Sequence, residues 1–415
     1  MTPRVLTKPL PTPPRFLRQG PLRAGFFRSR LRSIALTARI GTLLGACLTV
    51  AFITGLASHL AQHPQWGLSF PTRPVMLYRF TQGLHVAVGL ACIPLLLLKL
   101  WAVYPKLWQW PPARNLVHVA ERGSLLLLVG SAIFQLLTGL QNIFYWYSWP
   151  FFFTTVHYWT AWVLAGSVLL HISIKWVEIR SGWSSPLSET SPTVDPVDRV
   201  DADDDVAGPR EPIDEPAGVS RRGLLVGVAA GIGLVAVTTV GETLRPLSVL
   251  DVLGPRRPDI GPQKLPINKT ARTADVRTTA TDPAYRLAIT GRVATPASFS
   301  LSQLQAMTQH NVQLPIACVE GWSAEASWIG VSVRELVRNA GASGSARVQV
   351  VSLEAGGRYR TSLLEADAVA DHLTLLALQL NGAELDLDHG FPCRLIAADR
   401  PGVMQTKWVT RLEVL

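Results

Sequence analysis

The chain has 415 residues, enough for two or three domains, of which 16% are charged and 48% hydrophobic. So little charge, against roughly 25% in an average soluble protein, excludes a wholly soluble enzyme and points to a membrane protein with a soluble part. The formal charge of +10 does not indicate nucleic acid: nine Arg or Lys and no acid lie in residues 1–39, with no aromatic-interleaved basic groove beside them, and the positive-inside rule keeps such a tail on the cytoplasmic face.

Five apolar segments follow in chain order. They are Ile40 to Ala57, Phe80 to about Leu98 with Lys99 placed to snorkel, Gly123 to about Tyr145, Phe152 to Ile174, and the Gly- and Ala-rich Gly223 to Gly241. No Asp, Glu, Lys or Arg occurs from Gly123 to Ile174, which suits two spans of about 20 residues each. Lys99, Lys106, Arg114 and Arg122 mark the loop after the second segment as cytoplasmic. The uncharged, aromatic stretch Gln141 to Phe153 reads as an outer interfacial belt.

Ionisable groups are costly in hydrocarbon, so histidines inside spans are candidate functional residues. His85 and His157 each stand about five residues into helices that run in the same direction, at a similar expected depth near the outer leaflet. One imidazole from each side is what a b-type haem needs. His171 follows His157 by fourteen residues, nearly on the same face and roughly 21 Å deeper. In this spacing the bundle resembles membrane cytochrome b proteins. A second haem lacks a partner for His171, because Lys99 stands fourteen residues after His85. The alternative is an anchor whose histidines bond neighbouring helices.

Residues 181–218 carry ten acids, two bases and six prolines, a composition that cannot bury a core and predicts disorder. Ser220-Arg221-Arg222-Gly223-Leu224-Leu225 then opens the fifth apolar segment. It is similar to a twin-arginine export signal placed internally; an ordinary stop-transfer flank is the alternative. Either way, an odd number of spans puts the C-terminal part outside the cell membrane. The division expected is a basic tail 1–39, a four-helix transmembrane bundle 40–180, a linker 181–218, a signal or anchor helix 219–245 and a soluble α+β domain 246–415. In that domain Tyr285–Val293, Val312–Cys318, Arg347–Leu353, Arg394–Ala398 and Lys407–Leu415 read as strands. Ser332 to Glu335 reads as a capping box opening a helix that Gly341 stops.

The four cysteines, Cys47, Cys92, Cys318 and Cys393, show no metal-finger or CxxC spacing. Cys318 lies in Leu-Pro-Ile-Ala-Cys-Val-Glu-Gly-Trp-Ser, where a strand breaks into a turn, a place from which a thiolate can bind a soft, high-valent metal. Spacing alone equally allows a buried cysteine acting as a small hydrophobe. The segment, with Trp328-Ile329-Gly330, resembles the sulfite oxidase superfamily of molybdopterin enzymes. Its wording is closer to the protein-methionine-sulfoxide reductase branch, since no Arg follows Cys318 shortly. Asn381-Gly382 and His389-Gly390-Phe391-Pro392-Cys393-Arg394 through Lys407-Trp408 match the family's pterin-binding stretch, so the resemblance covers about residues 265–415.

The resemblance implies Cys318 as the molybdenum ligand, and His389 and Arg394 as ligands of the pterin and its phosphate. It implies Gln405, Thr406 and Lys407 as the residues closing that pocket, with Asn268 and Ser352 as further cofactor contacts. It also implies no room after Leu415 for the dimerisation domain of sulfite oxidases. The expected function is two-electron oxygen-atom transfer on a small S- or N-oxide, with molybdenum-molybdopterin and haem b as cofactors. A quinone pool or another redox partner would exchange the electrons. A sulfite-oxidase-like dehydrogenase of a small sulfur compound is the rival, and a non-catalytic membrane receptor with a degenerate pterin fold is the reading from another class.

Overall fold

The computed structural model describes residues 12–23, 26–27, 29, 31–64, 68–108, 110, 112, 115–187, 219–240, 243, 245–254 and 260–415. The acidic linker from 188 to 218, the beginning of the basic tail and Arg114 lie outside the described residues. Among the described residues, five helices are long and apolar enough to cross a membrane: α1 Ile34–Gln62, α2 Leu77–Val103, α3 Leu116–Ile143, α4 Phe153–Ser184 and α5 Arg221–Val240. Each contains nearly all of one apolar segment and most run past it. Hydropathy marks the hydrocarbon stretch, whereas backbone hydrogen bonding continues through the polar ends.

The chain divides into two compact units that do not coincide with the boundaries drawn from composition. One comprises residues 1–50, 88–140 and 149–235, and the other 51–87, 141–148 and 236–415. The first unit is held by an apolar cluster of Leu44, Cys92, Leu95, Leu96, Ala132 and Leu164. Lys99 reaches the first turn of α1. Its ammonium donates to the Thr37 carbonyl of α1 at 2.8 Å, reaching it where Gly41 has no side chain to obstruct it. At the start of α5, Arg221 donates to the carbonyls of Leu31 and Leu187, and the Ser220 hydroxyl accepts from the Gly223 N–H.

The second unit contains two five-stranded sheets. In the first, β1 Arg286–Gly291, β2 Ala297–Ser300, β5 Val348–Ser352, β6 Thr361–Leu364 and β10 Val409–Val414 lie in the order β2-β1-β10-β5-β6. β10 is central, parallel to β1 and antiparallel to β5. In the second, β3 His310–Ala317, β4 Ser323–Ser332, β7 Leu375–Leu380 and β8 Ala383–Glu384 run in that order, and β9 Arg394–Ile396 also pairs with β7. Burial alternates along β1 with Leu287 and Ile289 inward, as its period-two pattern requires. Helix α6 Leu301–Ala306 starts on a full capping box of Ser300 and Gln303, which the sequence reading passed over. Helix α7 Val333–Asn339 has half a box: Ser332 accepts from the Glu335 N–H, but the Glu335 carboxylate turns to His310 at 3.2 Å.

Residues 51–87 and 141–148 are tied to the domain by polar bonds that hydropathy cannot register. Arg73 makes a two-pronged pair with Asp371 at 2.6 and 2.9 Å, Arg79 pairs with Glu325, and the Tyr78 N–H donates to Asp399 at 3.0 Å.

Candidate active site

Cys318 follows the last residue of β3, where the chain must turn to start β4 at Ser323. The turn closes on itself. The Cys318 N–H donates to the Trp322 carbonyl at 2.9 Å, and the Gly321 N–H donates to the Cys318 carbonyl at 3.0 Å. Gly321 sits at φ +99°, where a side chain is strained. Ala317 bridges to Pro401, and Gly402 packs its bare Cα on Ile316 and the Cys318 backbone, so the 399–407 segment lies along the cysteine turn. Cys318 is fully buried among Leu314, Ile316, Trp322 and Trp328.

Around this apolar floor stand two buried cations. Arg394, on β9, spends one N–H on the His389 carbonyl at 3.2 Å, and its guanidinium stands 5.5 Å from the Trp328 ring centre. Its Nε is buried without a partner among the described residues. Burial lowers its pKa to about 10, a shift that the neighbouring Cys318 opposes. The Lys407 ammonium is gripped by the carbonyls of Lys269 at 2.9 Å and Asp388 at 2.7 Å. Burial, then Arg394, push it well below the usual lysine range, against the pull of Asp388, Glu354 and Cys318. Among the described residues neither cation has a carboxylate at ion-pair distance, while nearby Lys269 and Glu354 form a pair of their own. Buried cations without counter-charge are costly, so this pocket is built for an anion from outside the chain.

The other motif residues fill in that pocket. His389 ends a short 3-10 helix, Leu387–His389, and donates Nε2–H to the Pro262 carbonyl at 2.8 Å, which leaves Nδ1 as a buried acceptor without a partner. Burial first, then the Arg394 charge, lower its pKa to about 4, so the ring is neutral at neutral pH. Gln405 donates its amide to the carbonyls of Arg400 and Ala397 and keeps an orphaned Oε1. The Thr406 hydroxyl is paired with that of Ser362 at 2.7 Å. Ser352 is occupied with backbone: it donates to the Lys407 carbonyl at 2.8 Å and accepts from the Glu354 N–H at 3.2 Å. It therefore positions Lys407. Asn268 lies half-buried next to Lys269, whose carbonyl holds the Lys407 ammonium.

Sequence reasoning missed Arg400, a half-buried guanidinium with an orphaned, buried Nε and a pKa lowered to about 10 by burial. An Arg before Pro-Gly at the end of an apolar strand was the available signal. It also missed Gly390, at φ +116°, where an added Cβ would stand 3.1 to 3.2 Å from the side chains of Lys407 and Arg394. Gly390→Ala is expected to cost about 2–4 kcal/mol from left-handed backbone strain plus crowding. For a domain of this size that corresponds to roughly 5–15 °C in melting temperature. An unchanged melting curve would show that the cradle has room to spare.

The membrane histidines have matching surroundings, each within its own unit. The His85 Nδ1 faces the Ala51 carbonyl at 2.9 Å and the Thr54 hydroxyl at 3.1 Å. A carbonyl only accepts, so Nδ1 carries the proton and Nε2 the lone pair. The His157 Nδ1 faces the Thr138 hydroxyl at 3.2 Å, and that hydroxyl donates its own proton to the Phe134 carbonyl at 2.7 Å. His157 is thereby the same tautomer. A glycine lies against each ring: an added Cβ would stand 3.2 Å from the His85 Cε1 at Gly55, and 3.8 Å from the His157 Cε1 at Gly139. His171 lies in the unit of His157, among the charges of Lys99, Lys175, Glu121 and Glu178.

Comparison with known proteins finds likeness in the same part of the chain. The model of the oxidoreductase molybdopterin binding domain matches residues 273–415. A putative protein-methionine-sulfoxide reductase subunit of Azospira oryzae is 32% identical over 31% of this chain and 48% of its own length. The catalytic subunit of a protein-methionine-sulfoxide reductase of Ralstonia nicotianae is 29% identical over 31% of this chain and 43% of its own. The sulfite oxidase of Arabidopsis thaliana is 24% identical over 32% and 42%. The chain spans less than half the length of these three relatives. Residues 273–415 thus carry the oxidoreductase molybdopterin binding domain, and in that part the chain is similar to sulfite oxidases and protein-methionine-sulfoxide reductases.

Proposed function

We propose that the protein is a multi-pass membrane oxidoreductase whose C-terminal domain faces the extracytoplasmic side. There it reduces a small S- or N-oxide by two-electron oxygen-atom transfer, with electrons drawn from the quinone pool through a haem b. The observation that carries this reading is the pair of buried cations, Arg394 and Lys407, left without a carboxylate beside the buried Cys318. Molybdenum-molybdopterin suits that donor set. Cys318 would supply a thiolate to the metal, Arg394 and Lys407 would neutralise phosphate and dithiolene charge, and the orphaned acceptors of His389 and Gln405 would meet pterin N–H groups. When bound, the cofactor supplies the two-electron oxygen-atom chemistry. The chain's own share is to bury it, hold Cys318 at the closed end of a hairpin and fix the Lys407 ammonium by two carbonyls.

The choice of a neutral oxide over an anion such as sulfite rests on Glu320. This carboxyl group is buried two residues after Cys318 and accepts from the Trp322 indole N–H at 3.0 Å. A carboxylate there disfavours a second anion. The haem reading is supported by the shared tautomer of His85 and His157, which offers Nε2 to a metal in both cases.

Metal analysis of the purified full-length protein tests the reading: molybdenum and haem iron are both expected, and absence of molybdenum would overturn it. Arg394→Met supplies a graded check. Losing one charge-assisted bond of about 1.5–3 kcal/mol should weaken cofactor retention by roughly ten- to a hundredfold on gel filtration. Full retention by the variant would remove Arg394 from the phosphate site.

A further inference from the structure

The carbonyl of Val319, the residue after Cys318, accepts two side-chain amides at once. Gln82 of α2 donates Nε2–H to it at 3.1 Å, and Asn142 at the end of α3 donates Nδ2–H at 2.9 Å. Both amides are buried. Because a carbonyl cannot donate, the NH2 ends of both side chains must face it. Asn142 is held in that orientation by the Tyr147 hydroxyl, which donates to its Oδ1 at 2.8 Å. Two residues further on, the bare Cα of Gly321 lies against Val86, where an added Cβ would stand 2.9 Å from a methyl group. Gln82 and Val86 are one turn apart on α2, and His85 is the neighbour of Val86. The cysteine turn is thus seated on the very turn of helix that presents His85.

A hairpin tip that only joined two strands would need no such fixing. Two buried amides, one of them oriented by a third residue, hold the backbone of the candidate metal ligand at a set place on a transmembrane helix. From Cys318 the connection to that helix is one peptide unit and one hydrogen bond, and from Gln82 it is three residues of helix to His85.

We propose that the Cys318–Trp322 turn is the electron port of the molybdenum domain, and that Gln82 and Asn142 are positioning residues that hold it on the His85 turn. Electrons then pass between haem and metal inside one chain, without a diffusible carrier. This rests on the function proposed above. The balance is simple: a membrane quinol gives up two electrons and two protons and becomes a quinone. The electrons cross the port singly, and the oxide takes both, with two protons, to give the reduced compound and water.

The test uses the full-length protein loaded with both cofactors, with one electron placed on the haem by a flash-generated flavin radical and no substrate present. In the wild type the haem absorbance should rise and then relax as the electron equilibrates with molybdenum. Gln82→Met and Asn142→Leu keep the side-chain volumes close but remove the donors. Each should slow the relaxation by about tenfold, the loss of docked population expected from one hydrogen bond, and both together by more. The reduced haem band and the molybdenum(V) spectrum should be unchanged, which a general loosening of the fold would not allow. A relaxation as fast in the double variant as in the wild type overturns the port. So does a wild type that holds both cofactors but relaxes only when a soluble electron carrier is added. A wild type lacking haem or molybdenum would instead overturn the function itself, so the two failures are distinguishable. The single variants keep the test open should the double variant not fold.

Discussion

Cys318→Ser is expected to leave a folded, membrane-inserted protein with turnover reduced by at least about 10³-fold, equivalent to roughly 4 kcal/mol of activation free energy. The fold should survive because the side chain adds little to the turn. What closes it are the backbone bonds from Cys318 to Trp322 and from Gly321 to Cys318, which serine keeps. The chemistry should not survive, because a serine hydroxyl is a hard, protonated ligand where a soft thiolate is needed. Two measurements separate the cases: a thermal melt, expected to be near the wild type, and oxide-dependent oxidation of a reduced dye. A serine variant with near-normal rates on S- and N-oxides would end the assignment of Cys318 as metal ligand.

The second large effect concerns the bundle. His85→Ala and His157→Ala should each remove the reduced b-type absorption band, while the molybdopterin stays bound in the C-terminal domain. The expectation rests on tautomers. In His85 the Ala51 carbonyl, and in His157 the already-donating Thr138 hydroxyl, fix the proton on Nδ1. Nε2 is then the basic nitrogen, as an axial ligand of haem iron requires. A low-spin haem needs both ligands, so loss of one is expected to abolish the band. His171→Ala should keep most of it, since His171 sits among Lys99, Lys175, Glu121 and Glu178 and Lys99 is committed to the Thr37 carbonyl. A band that vanished with His171 but not with His157 would move the site to the other end of α4.

Those parts of the fold that repeat locally could be read from the chain. The apolar runs marked all five long helices, and alternation located β1, β3, β5 and β10 to within a few residues. β7 escaped because Leu375–Leu380 is buried on nearly every position, which erases the period of two that marks a strand with one wet face. The Cys318 and His389–Lys407 segments were legible as motifs, although ion-pair accounting for Arg394 and Lys407 needs three dimensions. The Gln82 and Asn142 clamp left no trace in the sequence. An amide near the end of an apolar helix looks the same whether it meets water or a carbonyl 237 or 177 residues away. Lys99 shows the same limit: its partner, the Thr37 carbonyl beside the glycine gap at Gly41, lies on another helix and is not legible in the sequence.

The place of β10 in its sheet sets a timetable for biogenesis. Val409–Val414 lies between β1 and β5, so neither half of that sheet has its inner neighbour until these residues have been made. Lys407 and Thr406, which border the candidate cofactor pocket, are made just before them. The hydrophobic helices are by then long synthesised, since nascent chains grow N-terminus first. A ribosome stalled before Val409 therefore leaves an open sheet, in which Lys407 and the other residues of the candidate pocket are made but lack the central strand that follows them. Cofactor retention is therefore expected to require the closing of this sheet by Val409–Val414.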